Sequence, residues 1–89
     1  MLSSEPLSIG QIRGTIYRAA QAGEMLPRHI HDASTNHISF VGSGKWEARG
    51  DWGDPVIMIP GPLYDWNVGE AHEIEALEPG TLFNILKGE

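Results

Sequence analysis

The chain has 89 residues, a formal net charge of −6 and no cysteine. This length predicts one small domain, and the absence of cysteine excludes disulfides and thiolate metal ligands. The acidic balance argues against nucleic acid and anionic membranes as partners, because both bind basic surfaces. The first residues lack the pattern of a signal peptide, and no apolar run approaches the ~20 residues that span a bilayer. We therefore expect a cytoplasmic protein with no nucleic-acid or membrane partner.

The segment before the first histidine is predicted to be extended. Residues 1–8 have the composition of a loose N-terminal tail, and residues 9–89 are expected to form a single barrel domain. Residues 8–21 predict one or two short strands, since they contain the β-prone residues Thr15-Ile16-Tyr17, with a helical turn over 18–22 as the alternative. Residues 25–31 are expected to be extended after a turn at Gly23.

The middle of the chain predicts a hairpin and a buried strand. Residues 37–41 and 45–49 are β-prone and are separated by the turn sequence Gly42-Ser43-Gly44. Residues 55–60 contain the apolar run Val56-Ile57-Met58-Ile59, which is typical of a strand buried on both faces.

The last third of the chain predicts three more strands, at 63–68, 72–77 and 81–86. In the second of these, His72 shares the apolar face with Ile74 and Ala76, so its side chain is expected to point inward. About eight short strands with almost no helix indicate an all-β sandwich or barrel.

Three of the four histidines lie close together in the sequence: His29, His31 and His37. His29 and His31 are separated by one residue, so in a strand both imidazoles would leave the same face. Imidazoles grouped in this way suit a first-row transition metal. The alternative is that these three histidines are ordinary polar residues of a loop.

Two segments resemble the motifs of the cupin superfamily, and in particular of small single-domain cupins. The first motif is Gly, five residues, His-x-His, three or four residues, Glu, six residues, Gly. Gly23 and His29-Ile30-His31 match its start. Six residues separate His37 from Gly44, so His37 occupies the position of the motif's glutamate. The intervening loop is one residue longer than usual, so Asn36 is a rival occupant of that position.

The second motif is Gly, five residues, Pro-x-Gly, two residues, His. Gly61, Gly69 and His72 match it, with Asn67 in place of the proline. The resemblance implies an all-β double-stranded β-helix (jelly-roll) barrel. It also implies one divalent transition metal ion (Mn, Fe, Ni, Cu or Zn), held by four histidines: His29, His31, His37 and His72.

The function that this resemblance implies has two alternatives. The first is a metal-dependent oxygenase or isomerase acting on a small anionic or enolisable substrate, because four neutral imidazoles leave the charge of the ion uncompensated. Tyr64, on the same strand face as Trp66, is then the candidate for proton transfer. The second is a non-catalytic module that binds a metal or small molecule as a sensor or sequestering protein. A homodimer is expected in either case, since pairing would cover edge strands and tryptophans.

Overall fold

The structure, a computed structural model, describes residues 2–30, 37–66 and 71–86, and the side chains of His29, Ile30 and His37 are outside the description. The described residues form no helix. They form nine strands: β1 (Ser3–Ile9), β2 (Ile12–Ala19), β3 (Met25–Ile30), β4 (His37–Ser43), β5 (Trp46–Gly50), β6 (Val56–Met58), β7 (Tyr64–Asp65), β8 (Ala71–Ala76) and β9 (Gly80–Leu86). The predicted all-β class is therefore confirmed.

The strands form two antiparallel sheets. One has five strands in the order β1-β2-β9-β4-β7, and the other has four in the order β3-β8-β5-β6. The core takes apolar side chains from both sheets, including Val41 and Leu82 of the first and Trp46 and Ile74 of the second. Burying one such aliphatic side chain stabilises the fold by about 1.5–3 kcal/mol.

Strand β8 shows how the sequence determines which side of a sheet is buried. His72, Ile74 and Ala76 are buried, whereas Glu73 and Glu75 on the other face are only half-buried. Side chains alternate between the faces of a strand, so this period of two places the imidazole on the inner face. The inward position predicted for His72 is confirmed.

The start of the chain differs from the expected loose tail. Residues 3–8 belong to β1, which pairs with β2 from Ser3 opposite Arg18 to Ile9 opposite Ile12. Gly10, with a φ of 57°, supplies the left-handed residue in the tight turn between the two strands. Most of β1 is exposed, so it is held by backbone pairing, which the apolar content of the sequence does not reveal. Strand β2 continues to Ala19 in place of the alternative helical turn.

Two further expectations are wrong in detail. The run from Val56 to Ile59 is not buried on both faces: Met58 is fully buried, but Ile57 and Ile59 are each 46% exposed. The reason is that Ile57 lies opposite Glu47 on the outer face of the sheet, whereas Met58 lies opposite the buried Trp46 on the inner face. The strand expected at 63–68 is limited to Tyr64–Asp65 within the described residues. No helix of the described residues is long and apolar enough to cross a membrane.

Candidate functional site

The centre of the candidate site is a row of three residues across the four-stranded sheet. On β8, His72 lies opposite His29 of β3 on one side and opposite Gly50 of β5 on the other. Two histidines that the sequence separates by more than forty positions are therefore direct cross-strand neighbours.

A change of register in β3 produces this pairing. Leu26 lies opposite Ile74 and His29 lies opposite His72, so two residues of β3, Pro27 and Arg28, span the single position that Glu73 takes on β8. An extra residue of this kind is a β-bulge, which bends a strand and changes the direction of the side chains after it. Here it allows Leu26 and His29 to pair with two inward-facing residues of β8.

Two tryptophans surround the imidazole of His72, which is fully buried. The ring centroid of Trp66 lies 5.1 Å from that of His72, and the centroid of Trp52 lies 6.1 Å from it. The two indoles stack on each other with centroids 5.5 Å apart, and Trp52 also donates a hydrogen bond to the carbonyl of Asp54 at 2.8 Å. One side of His72 is thus a packed aromatic wall.

Gly50 makes room for this wall. A Cβ atom at position 50 would come within 2.6 Å of the carbonyl oxygen of Ala71 and would also collide with the ring of Trp52. Real Cβ atoms do not approach backbone oxygen so closely, so a side chain here would displace either β8 or Trp52. The glycine that ends β5 therefore contributes to the site through the absence of a side chain.

A buried chain of hydrogen bonds fixes the second indole from behind. The Nε1 of Trp66 donates to the hydroxyl of Ser39 at 2.7 Å, and that hydroxyl donates to Oδ1 of Asn84 at 2.5 Å. Ser39 is fully buried, and Asn84 is 4% exposed. Because these polar groups satisfy one another, they can be buried without the usual penalty.

The outer face of the same sheet carries a network of charges. Arg49 forms ion pairs with Glu47, Glu73 and Glu75, and Arg28 forms ion pairs with Glu73 and Asp51. Hydrogen bonding from Arg49, and to a lesser degree from Arg28, lowers the pKa of Glu73 below its ordinary value. The same three carboxylates raise the pKa of Arg49 further above its ordinary value. This face is therefore held together by opposite charges directly behind the histidine row.

The other residues predicted for the site are only partly described. His31 and Asn36 lie outside the described residues, so the choice between His37 and Asn36 stays a prediction. The described side chains contain no group of three or more histidines, cysteines or carboxylates that could hold a metal ion. Of the four predicted ligands, only His72 has a described side chain, and the structure does not test the full set.

Tyr64, the candidate for proton transfer, lies beside the aromatic wall. Its ring stacks on Trp66 with centroids 6.3 Å apart, and its hydroxyl accepts a hydrogen bond from the backbone N–H of Ile59 at 3.0 Å. A phenol that accepts this bond still has its own proton to donate. The structure thus places Tyr64 next to Trp66, as the strand alternation predicts.

Sequence reasoning did not identify three contributors: Asn84, Arg28 and Asp51. Asn84 had a detectable signal, because it lies two residues after the buried Leu82 and is therefore a polar residue at an inward position. Arg28 and Asp51 had none, since their pairing depends on the bulge and on a turn that bring distant segments together.

The fold has close counterparts among solved structures of cupins. A cupin superfamily protein from Desulfitobacterium hafniense superposes with a TM-score of 0.81 and 12% identity, over 100% of this chain and 79% of that one. A cupin 2 conserved barrel domain protein from Leptotrichia buccalis gives a TM-score of 0.77 and 23% identity, over 99% of this chain and 41% of that one. The DMSP lyase DddQ from Ruegeria pomeroyi gives 0.78 and 19%, over 99% of this chain and 47% of that one.

These likenesses define the fold. No protein-family model matches the chain, and no curated protein matches its sequence significantly. The chain has the cupin-barrel fold, so the double-stranded β-helix that the two motifs imply is confirmed.

Proposed function

We propose that this protein is a metal-binding cupin in which His29, His31, His37 and His72 hold one divalent transition metal ion. The observation that carries the proposal is the pairing of His29 with His72 across two antiparallel strands. Residues directly opposite each other in such a pair have Cβ atoms about 4.5–5.5 Å apart, which allows two imidazoles to share one ion.

The surroundings of the pair fit such an ion. His72 is buried on the inner face, and imidazole is a good ligand for Zn, Cu, Fe and Ni. Position 37 begins β4 two residues before the buried Ser39, and from the period of a strand we expect His37 to share the inner face with Ser39. His31 follows the end of β3 in the sequence, two residues after His29.

A divalent ion held by neutral imidazoles would act there as a Lewis acid toward small anionic or enolisable ligands. The protein's own part is then to shape the space. Trp52 and Trp66 exclude water from one side of His72, and Tyr64 places a phenol hydroxyl beside that wall. We propose on this basis an oxygenase or isomerase that acts on a small anionic or enolisable substrate.

One observation favours the second candidate, a non-catalytic sensor or sequestering module. The two rings beside His72 are indoles, and an indole has no proton to exchange at neutral pH. Tyr64 is then the only residue of the described wall that can serve as acid or base, and its hydroxyl is engaged by the amide of Ile59. An enzyme would have to rely on Tyr64 or on the ion itself.

The first experiment is a metal titration of protein that has been purified without a polyhistidine tag and stripped with chelator. Zn²⁺, Mn²⁺, Fe²⁺, Ni²⁺ and Cu²⁺ are added separately while the heat of binding is measured. We expect one equivalent of metal ion to bind. His29→Ala and His72→Ala should each weaken the affinity more than substitution of a residue that only orients a metal ligand, which costs roughly 10- to 100-fold. Gln11→Ala, in the exposed turn after β1, is the control. Wild-type protein that binds none of these ions would overturn the proposal.

The identity of the preferred ion then separates the two candidates. A redox-active ion such as Fe²⁺ supports oxygen chemistry, whereas preference for redox-inert Zn²⁺ leaves isomerisation or simple binding. The Tyr64→Phe variant is then compared with the wild type for binding of the ion and of small anions. Equal binding in both proteins shows that the phenol has no part in binding.

A further inference from the structure

We propose that Arg28 and Asp51 are positioning residues that hold the β3 bulge from the outer face of the sheet and thereby keep His29 opposite His72. This inference rests on the proposed metal site. We call the two side chains the outer clasp.

The outer clasp connects three strands. A guanidinium nitrogen of Arg28, Nη2, pairs with Oδ1 of Asp51, and Nη1 lies 3.4 Å from a carboxylate oxygen of Glu73. The second oxygen of Asp51 accepts the backbone N–H of Ala71 at 3.2 Å, and the backbone N–H of Asp51 donates to the carbonyl of Ala71 at 3.1 Å. Asp51 therefore binds β3 through Arg28 and the start of β8 through Ala71.

The position of the outer clasp matches that of the histidine row. Each member of the row is adjacent in sequence to a residue that takes part in these contacts. The adjacent pairs are Arg28 and His29, Gly50 and Asp51, and Ala71 and His72. The contacts thus bind together, from the outside, the three backbones that carry the row.

The bulge needs such a restraint. Pro27 and Arg28 lie between the paired positions Leu26 and His29 and together span the single position that Glu73 takes on β8. A strand without the extra residue would alternate regularly from Leu26, which would turn position 28 inward and position 29 outward. Arg28 is held on the outer face by Asp51 and Glu73. These contacts exclude the regular strand, in which position 28 would face inward.

Because the outer clasp is exposed, its effect on the position of His29 can be measured apart from its effect on the stability of the fold. The side chains of Arg28 and Asp51 are 47% and 54% exposed, and ion pairs this exposed contribute little to global stability. A second ion pair of the same kind, Arg18 with Glu5, is 53% and 48% exposed and lies in the other sheet. It is a matched control, because its loss removes the same type of contact far from the histidine row.

The test measures Zn²⁺ affinity and the melting temperature of the metal-free protein for full-length variants. We expect Arg28→Met and Asp51→Asn each to weaken Zn²⁺ binding about 10- to 100-fold, the range for groups that orient metal ligands. Glu5→Gln should leave the affinity unchanged, and all three variants should melt within a few degrees of the wild type in chelator. Because both changes break the shared contact between Arg28 and Asp51, the double variant should lose less affinity than the sum of the two single losses. Arg28→Lys, which keeps the charge, should restore part of the affinity.

Four results would overturn the inference. Wild-type affinity in Arg28→Met and Asp51→Asn would show that the outer clasp does not position His29, while the metal site itself would stand. Equal losses in Glu5→Gln would indicate a general effect of charge. A large fall in the metal-free melting temperature of the clasp variants alone would assign them a structural role. A wild-type protein that binds no metal ion would remove the proposed function and this inference together.

Discussion

The indole N–H of Trp66 donates a hydrogen bond to the hydroxyl of Ser39 at 2.7 Å, across 27 positions of the chain. The Ser39 hydroxyl in turn donates a hydrogen bond to Oδ1 of Asn84, its direct neighbour across β4 and β9. The five-stranded sheet thereby fixes an indole whose ring centroid lies 5.1 Å from that of the His72 imidazole in the other sheet. The two sheets thus meet at His72 through one hydrogen-bonded tryptophan.

Ser39→Ala should destabilise the protein by about 1–3 kcal/mol, because it leaves the buried N–H of Trp66 and the amide of Asn84 without their partner. Urea unfolding followed by fluorescence measures the change. Ser8→Ala, in the exposed strand β1, is the control and should have little effect. Equal stability of the Ser39 variant and the wild type would show that the hydrogen-bond chain is energetically unimportant.

Gly50→Ala should destabilise the fold by about 1–3 kcal/mol, the usual cost of overpacking. The added methyl group would meet the carbonyl oxygen of Ala71 at 2.6 Å and the ring of Trp52, so the aromatic wall must move. A changed tryptophan emission spectrum of the native state should accompany the loss. Unaltered emission together with unaltered stability would mean that the space beside Gly50 is larger than the structure indicates.

The sequence predicts the part of the fold that depends on local alternation. The inward position of His72 follows from Ile74 and Ala76 beside it, and the central and last strands follow from short β-prone runs between turn residues. The expectation for Val56 to Ile59 is wrong because an apolar run does not reveal whether both faces of a strand are covered. Ile57 lies opposite Glu47 on the outer face of the sheet, and the core includes only the opposite face, at Met58 and Trp46.

The candidate site is predictable only as a list of residues. Spacing selects the four histidines, but the pairing of His29 with His72 depends on the bulge at Pro27 and Arg28. A bulge forms where cross-strand contacts favour it, and these contacts come from Asp51 and Glu73, more than twenty positions away. Such a long-range choice of register leaves no periodic signal in the sequence.

Acid should weaken the outer face of the sheet through Glu73. Hydrogen bonding from Arg49, and secondarily from Arg28, lowers the folded-state pKa of Glu73 below its ordinary value of 4.5. A carboxylate with a depressed pKa contributes stability that is present above the unfolded pKa and is lost as pH falls through the folded pKa. We therefore expect stability in chelator to decrease below about pH 4.5, the unfolded value.

Glu73→Gln should reduce the loss of stability at low pH when the free energy of unfolding is measured from pH 3 to pH 7. Glu47 and Glu75 also pair with Arg49, and Asp51 with Arg28, so a residual slope is expected from these groups. Glu78→Gln, at an exposed position in the turn before β9, is the control. Superimposable pH profiles for Glu73→Gln and the wild type would show that Glu73 is not linked to folding.

A homodimer is expected to use the edge of the five-stranded sheet. Strand β1 is the outer strand there and pairs only with β2 among the described strands, so one row of its backbone groups is available to a second copy. Sedimentation at micromolar concentration should give twice the chain mass of 9.8 kDa. Ser4→Pro should reduce dimer formation by removing a backbone donor that faces away from β2, while Ser4→Ala should not. A wild-type species with the mass of one chain would contradict the prediction.

The two tryptophans beside His72 should report directly on metal binding. With ring centroids 5.1 and 6.1 Å from the imidazole, Trp66 and Trp52 lie close enough for bound Cu²⁺ to quench their emission, whereas Zn²⁺, which has a filled d shell, should not quench it. The quenching should disappear in His72→Ala and should shrink in Trp52→Phe, where one reporter is missing.

The quenching should also be much weaker near pH 5 than at pH 7.5, since protons compete with the ion for imidazoles whose ordinary pKa is about 6.5. An excess of Zn²⁺ added first should raise the Cu²⁺ concentration needed for quenching if both ions use the same histidines, although Cu²⁺ binds imidazole more tightly than Zn²⁺. Identical emission with Cu²⁺ and with chelator at pH 7.5 would mean that no ion binds beside His72.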